Sequence, residues 1–133
     1  MQIGLNYKNK KFKLNVKVCN WARRITGLMF TRKEKAEALL FDFGKPVSWG
    51  FHSFFVFFPF VAIWLDDKDK ILDIKVVKPF KRNLSPKRFF TKVIEIPMNK
   101  RYGKFVSSFC AVLLPTSLGD EYSKFALREL ARR

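Results

Sequence analysis

The clearest alternation of apolar and polar positions runs from Phe12 to Val18, where Phe12, Leu14, Val16 and Val18 interleave with Lys13, Asn15 and Lys17. A period of two belongs to a strand with one face in a core and one in water, so a half-buried strand with solvated lysines is expected here. A denser apolar run extends from Phe51 to Leu65. Its fifteen residues fall short of the roughly 20 needed for a membrane-spanning helix. Pro59 stands at its centre, and aromatic and β-branched side chains that favour strands fill the rest. Proline cannot donate to a sheet ladder, so two strands bent at Pro59 are expected, Phe54 to Phe58 and Phe60 to Leu65. Neither shows polar alternation, which implies burial on both faces at the centre of the core. Asp66-Asp67-Lys68-Asp69 then reads as a solvated hairpin turn into the next strand.

Elsewhere the pattern predicts shorter elements. Asn20 to Thr26 forms a helical turn capped by Asn20 and ended at Gly27. Thr31 and Glu34 have capping-box spacing and open a brief helix through Ala38. Leu39 to Phe43 is a strand closed by Gly44-Lys45-Pro46. Ile71 to Val77 and Lys92 to Ile96 are further strands, separated by a loop holding Pro79 and Pro86. Phe105 to Leu114 is apolar without clear period and is read as a strand, whereas Asp120 to Arg133 places Tyr122, Phe125, Ala126 and Leu130 on one helical face. The expected class is therefore mainly β, bordering on α+β: a small β-sandwich or barrel-like single domain over residues 1–133, with short helices and a C-terminal helix. With 133 residues, 48% of them hydrophobic, the chain can bury one sizeable core, which excludes disorder of the whole.

Charge changes the picture from fold to partner. Twenty-seven Lys and Arg against eleven Asp and Glu leave a formal charge of +16, which would attract nucleic acid, anionic lipid or an acidic protein. Two clusters place aromatics among cations: Trp21 with Arg23, Arg24, Arg32 and Lys33, and Phe80 and Phe89 with Lys78, Lys81, Arg82, Lys87 and Arg88. Such a combination can stack a base and hold phosphates, although a charged face around a core aromatic gives the same pattern. Met1 to Lys11 carries lysines with no apolar segment or cleavage site after it, so a cytoplasmic protein is expected.

Catalytic chemistry finds little support in the residues. His52 is the only histidine, and beside Trp49 and Ser53 it could line a small-ligand pocket. An adjacent Ser-His pair lacks dyad geometry, and no second His or nearby Cys completes a metal set. Asp66, Asp67 and Asp69 lack the Gly and Glu of a calcium loop. Cys19 and Cys110 have neither CxxC spacing nor a disulfide framework and are expected to be reduced and buried. No cofactor and no metal is expected.

Several blocks together resemble a known family: Arg24-Ile25-Thr26-Gly27-Leu28-Met29-Phe30, Leu39-Leu40-Phe41-Asp42-Phe43, His52-Ser53-Phe54-Phe55-Val56-Phe57-Phe58-Pro59, Leu65-Asp66, Val76-Val77-Lys78-Pro79 and Val93-Ile94-Glu95-Ile96-Pro97. Over roughly Val16 to Pro97 the chain is similar to the domain of unknown function 192 family in its archaeal form. The resemblance implies a compact, mainly β fold with sandwich or barrel packing, and no established activity. It also implies a departure: bacterial relatives commonly carry WMKNT before the proline and an Asp two residues after it, where this chain has Phe55, Val56 and Val61 without the polar groups.

The expected function is thus a non-enzymatic binding or accessory module recognising an anionic partner through its basic surface. The alternatives are an enzyme or small-ligand binder with a pocket near Trp49, His52 and Ser53, or peripheral attachment to anionic membranes.

Overall fold

The computed structural model describes residues 1–7, 10–19, 32–48, 58–77 and 88–107. They form two open sheets. Strands β1 (Gln2–Tyr7) and β2 (Lys10–Asn15) pair antiparallel as a ribbon, from Gln2 opposite Asn15 to Tyr7 opposite Lys10. The larger sheet holds β3 (Lys17–Val18), β4 (Leu39–Val47), β5 (Phe60–Leu65), β6 (Ile71–Val77) and β7 (Phe90–Pro97), in the order β3-β4-β7-β5-β6. Only the β3–β4 contact is parallel.

The second half of the Phe-rich run behaves as its composition predicts. Every residue of β5 is buried, because β6 and β7 flank it and both sheet faces are covered. Val61, Ile63 and Leu65 join Ile94, Ile96 and Leu40 on one face, against Ile3, Leu5 and Leu14 from the ribbon. Phe60, Ala62 and Trp64 point the other way, among Leu39, Phe41, Phe90 and Val93. Ribbon on sheet is sandwich-like packing, the sheets are not closed into a barrel, and the mainly β class stands.

The acidic turn also forms as expected. The Asp66 carboxylate accepts the amides of Lys68 and Lys70, each at 2.9 Å, and Asp69 adopts φ 63°. Aspartate tolerates this left-handed conformation better than most residues, and the turn delivers the chain into β6.

Four expectations need correction. The strand from Phe12 to Val18 is broken at Val16, because the backbone changes partners there. Val16 pairs with Met1, its amide donating to the Met1 carbonyl at 2.8 Å, while the Lys17 and Cys19 amides donate to Ala38 and Leu40 in the other sheet. The alternation slips with it, leaving Val18 50% exposed and Cys19 buried as a free thiol. The helix expected through Ala38 stops as a 3-10 turn at Lys33–Lys35. Ala36 and Ala38 are buried with Glu37 exposed between them, and Ala38 already serves an extended backbone by accepting the Lys17 amide.

Gly44-Lys45-Pro46 does not close the strand begun at Leu39. It forms a bulge inside β4: Phe43 to Pro46 face Thr91 alone, since Asp42 pairs with Lys92 and Val47 with Phe90. Gly44 takes φ 72° there, where a side chain would be strained. Finally, Phe105 lies in helical backbone over residues 103–107, not a strand. The Asn99 side chain accepts the Tyr102 amide and donates to the Ala36 carbonyl, opening the 3-10 turn Lys100–Tyr102 that leads into it. The helical period sets Tyr102 and Val106 into the core and Phe105 edge-on to Phe12 at 6.4 Å.

β1 has no counterpart in the sequence reading, and β7 begins two residues before Lys92. The turn at Asn20 to Thr26, the strand at Phe54 to Phe58 as far as Phe57, the loop with Pro79 and Pro86, the chain beyond Ser107 and the terminal helix lie outside the described residues.

Candidate polyanion-binding surface

Strand alternation on β2 sorts charge from core. Leu14 and Val16 are buried and Phe12 is half-buried, whereas Lys11, Lys13, Asn15 and Lys17 are all exposed. The ribbon partner β1 repeats this, with Ile3 and Leu5 inward and Gln2, Gly4 and Asn6 outward. Pairing places Gln2 beside Asn15, Gly4 beside Lys13 and Asn6 beside Lys11 on one outward face. That face carries cations and amides with no carboxylate. The sequence reading foresaw its solvated lysines but not the strand that widens it. Gln2, Ile3, Gly4, Leu5 and Asn6 do alternate, yet Gly4 removes one side chain from the pattern.

This bias extends through the amino-terminal quarter, since the first 33 residues contain nine Lys and Arg and the first acidic residue is Glu34. Carboxylates gather elsewhere. Asp66, Asp67 and Asp69 occupy the β5–β6 turn, which approaches the ribbon at its Asn6 end through a bridge to Lys70. Asp66 is engaged within the turn, and Asp69 accepts a hydrogen bond from Lys92 Nζ at 2.7 Å. That bond holds the Lys92 ammonium above the usual lysine range, opposing the desolvation of a side chain only 18% exposed, and the charges of Asp69, Asp42 and Asp67 add to it. A looser pair, Arg101 with Glu37 at 3.7 Å, is about half exposed and contributes little.

Of the basic clusters expected from sequence, Arg32 is exposed immediately before the 3-10 turn that contains Lys33. Arg88 is exposed at the entrance to β7, and Phe89 beside it is 67% exposed, available for stacking. Trp21, Arg23, Arg24, Lys78, Lys81, Arg82 and Lys87 lie outside the described residues. So do Trp49, His52 and Ser53.

A buried acid was missed by the sequence reading. Glu95 of β7 is only 8% exposed, the one buried carboxylate among the described residues. Register places it between Leu39 on β4 and Ala62 on β5, and Ala62 faces Lys75 on β6. One row of the sheet therefore runs Leu39, Glu95, Ala62, Lys75, with Lys75 Nζ 5.6 Å from the centre of the Trp64 ring. The sequence signal was the apolar neighbourhood of Val93, Ile94 and Ile96, which commits the whole strand to burial. Among the described residues, no group of His, Cys, Asp and Glu could hold a metal ion, and no helix is long and apolar enough to cross a membrane.

Among curated proteins, none matches the chain. Two solved structures share its fold. A protein of unknown function from Novosphingobium aromaticivorans DSM 12444 aligns with a TM-score of 0.61 at 18% identity, covering 72% of this chain and 71% of its own. A candidate transcription regulator from Sinorhizobium meliloti 1021 gives the same TM-score and identity, covering 71% of this chain and 76% of its own. Residues 4–101 match the family model of the uncharacterised group DUF192 ("Uncharacterized ACR"), and the chain belongs to that family.

Proposed function

We propose that the protein is a non-enzymatic binding module that takes an anionic partner through its basic surface, with nucleic acid as the favoured partner. The carrying observation is the exposed series Lys11, Lys13 and Lys17 within a stretch of 33 residues that holds no carboxylate to neutralise it. Unpaired surface cations attract phosphates and release their condensed counterions on contact. Exposed Arg32, Arg88 and Phe89 add cations and a stacking surface from other parts of the fold. The description of the Sinorhizobium meliloti neighbour as a candidate transcription regulator agrees with this reading.

The test is a fluorescence-anisotropy titration of labelled single-stranded RNA and duplex DNA, with anionic vesicles in a parallel sedimentation assay, each at several salt concentrations. Nucleic-acid affinity should fall linearly in log salt. Absence of binding to every polyanion at low salt would sink the reading.

A further inference from the structure

We infer that the outward face of the β1–β2 ribbon is a sequence-independent contact surface for the phosphodiester backbone of nucleic acid. The inference rests on the reading above and goes beyond it by assigning the surface and the mode of contact.

The composition of the face selects among polyanions. Its six positions, Gln2, Gly4, Asn6, Lys11, Lys13 and Asn15, are all exposed. Three carry amides, two carry ammonium groups and one carries no side chain. Peripheral membrane binding buries an apolar face at the headgroup boundary, and the centre of a protein interface is built from aromatic and aliphatic anchors. None of the six positions offers either. Met1 and Val18, exposed beyond the far end, are single apolar residues. Lysine and amide side chains, in contrast, are the groups that engage phosphate and sugar oxygens.

Geometry gives the mode. Lys11 and Lys13 stand about 7 Å apart on the same face of one strand, with Lys17 continuing the exposed series past Asn15. A row of cations at this spacing can follow a phosphate chain rather than a single phosphate. Gly4 lies directly beside Lys13, and a Cβ built there would meet nothing within 4 Å. The centre of the face is therefore open to close approach by the partner's backbone. Behind the ribbon, Ile3, Leu5 and Leu14 are locked into the core. With that side held in the core, the ribbon offers its outward face alone, and contacts from lysine and amide groups to phosphate and sugar oxygens carry no sequence information.

The experiment compares the full chain with three variants by anisotropy on a mixed-sequence DNA duplex and on single-stranded RNA across a salt series, with phosphatidylserine vesicles as a third arm. Lys11→Gln/Lys13→Gln should lower the slope of log affinity against log salt by about 1.8 on duplex and about 1.4 on the single strand. Gly4→Glu, which adds a carboxylate where space is free, should weaken both at least several-fold while the circular dichroism spectrum stays unchanged. Lys45→Gln removes an exposed cation in the β4 bulge and should leave the slope as in the wild type. Scrambling the duplex sequence should not change its affinity.

If the ribbon and control variants lose slope equally, nucleic acid is bound elsewhere and this inference fails while the proposed function survives. Binding to vesicles alone also overturns it. A wild-type chain that binds nothing overturns both.

Discussion

At the scale of single residues, Lys92 shows how a cation is withdrawn from the surface. Its ammonium lies against Asp69, and the residue stands opposite Asp42 in the β4–β7 register with its side chain largely withdrawn from solvent. The partner carboxylate raises its pKa, so the folded state holds its proton more tightly than the unfolded chain. The resulting stabilisation is complete below the ordinary lysine pKa of about 10.4 and is lost as pH rises through the higher folded value. Lys92→Met removes the titrating group. Its stability, measured by urea denaturation, should fall less steeply above about pH 10 than that of the wild type. Parallel pH profiles would show the raised pKa to be incorrect. Lys11 and Lys13 have no acid on their own face of the ribbon, and this separates a surface cation that can serve a partner from one that serves the fold.

At the scale of elements, the sheet is tied together by polar contacts between segments far apart in the chain. The Tyr102 hydroxyl accepts the buried Ala38 amide at 2.7 Å, joining residues 64 apart, and Asn99 donates to the Ala36 carbonyl from the same turn. The extended 36–38 segment is thereby clamped beside β3 and the helical stretch over residues 103–107. Tyr102→Phe keeps the ring in the core but leaves the Ala38 amide without its acceptor. It should cost about 1–3 kcal/mol by denaturant midpoint with the slope of the transition unchanged. An unchanged midpoint would show that the amide finds another partner. The same clamp accounts for the helical conformation of Phe105, since Tyr102 and Val106 must face the core together from one short segment.

Over the whole molecule, charge and fold pull against each other. A formal charge of +16 on 133 residues repels itself in the compact state more than in the expanded one. Salt shortens the Debye length from about 30 Å at 0.01 M to about 8 Å at 0.15 M, so the melting temperature should rise over that interval. A melting temperature that falls or stays flat in calorimetry would mean that local ion pairs outweigh the repulsion. A bound polyanion would relieve it too, stabilising the fold by mass action.

What the sequence by itself determined is what alternation and turn chemistry encode locally. The half-buried strand with its lysines in water, the doubly buried strand after Pro59, the acidic turn, the strands from Ile71 and through Lys92, the mainly β class and the family likeness were all legible. The two clusters of aromatics and cations were legible only as composition, and just Arg32, Lys33, Arg88 and Phe89 of them fall among the described residues. Tertiary structure decided which strands meet. The change of partner at Val16 that sends β2 and β3 into different sheets, the bulge through Gly44 and the burial of Glu95 all depend on neighbours distant in sequence. Pairing β1 with β2 likewise turned a row of lysines into a face two strands wide. Alternation determines which side chains turn outward, but the free energy of burial and backbone pairing, summed over the whole chain, determines what stands beside them.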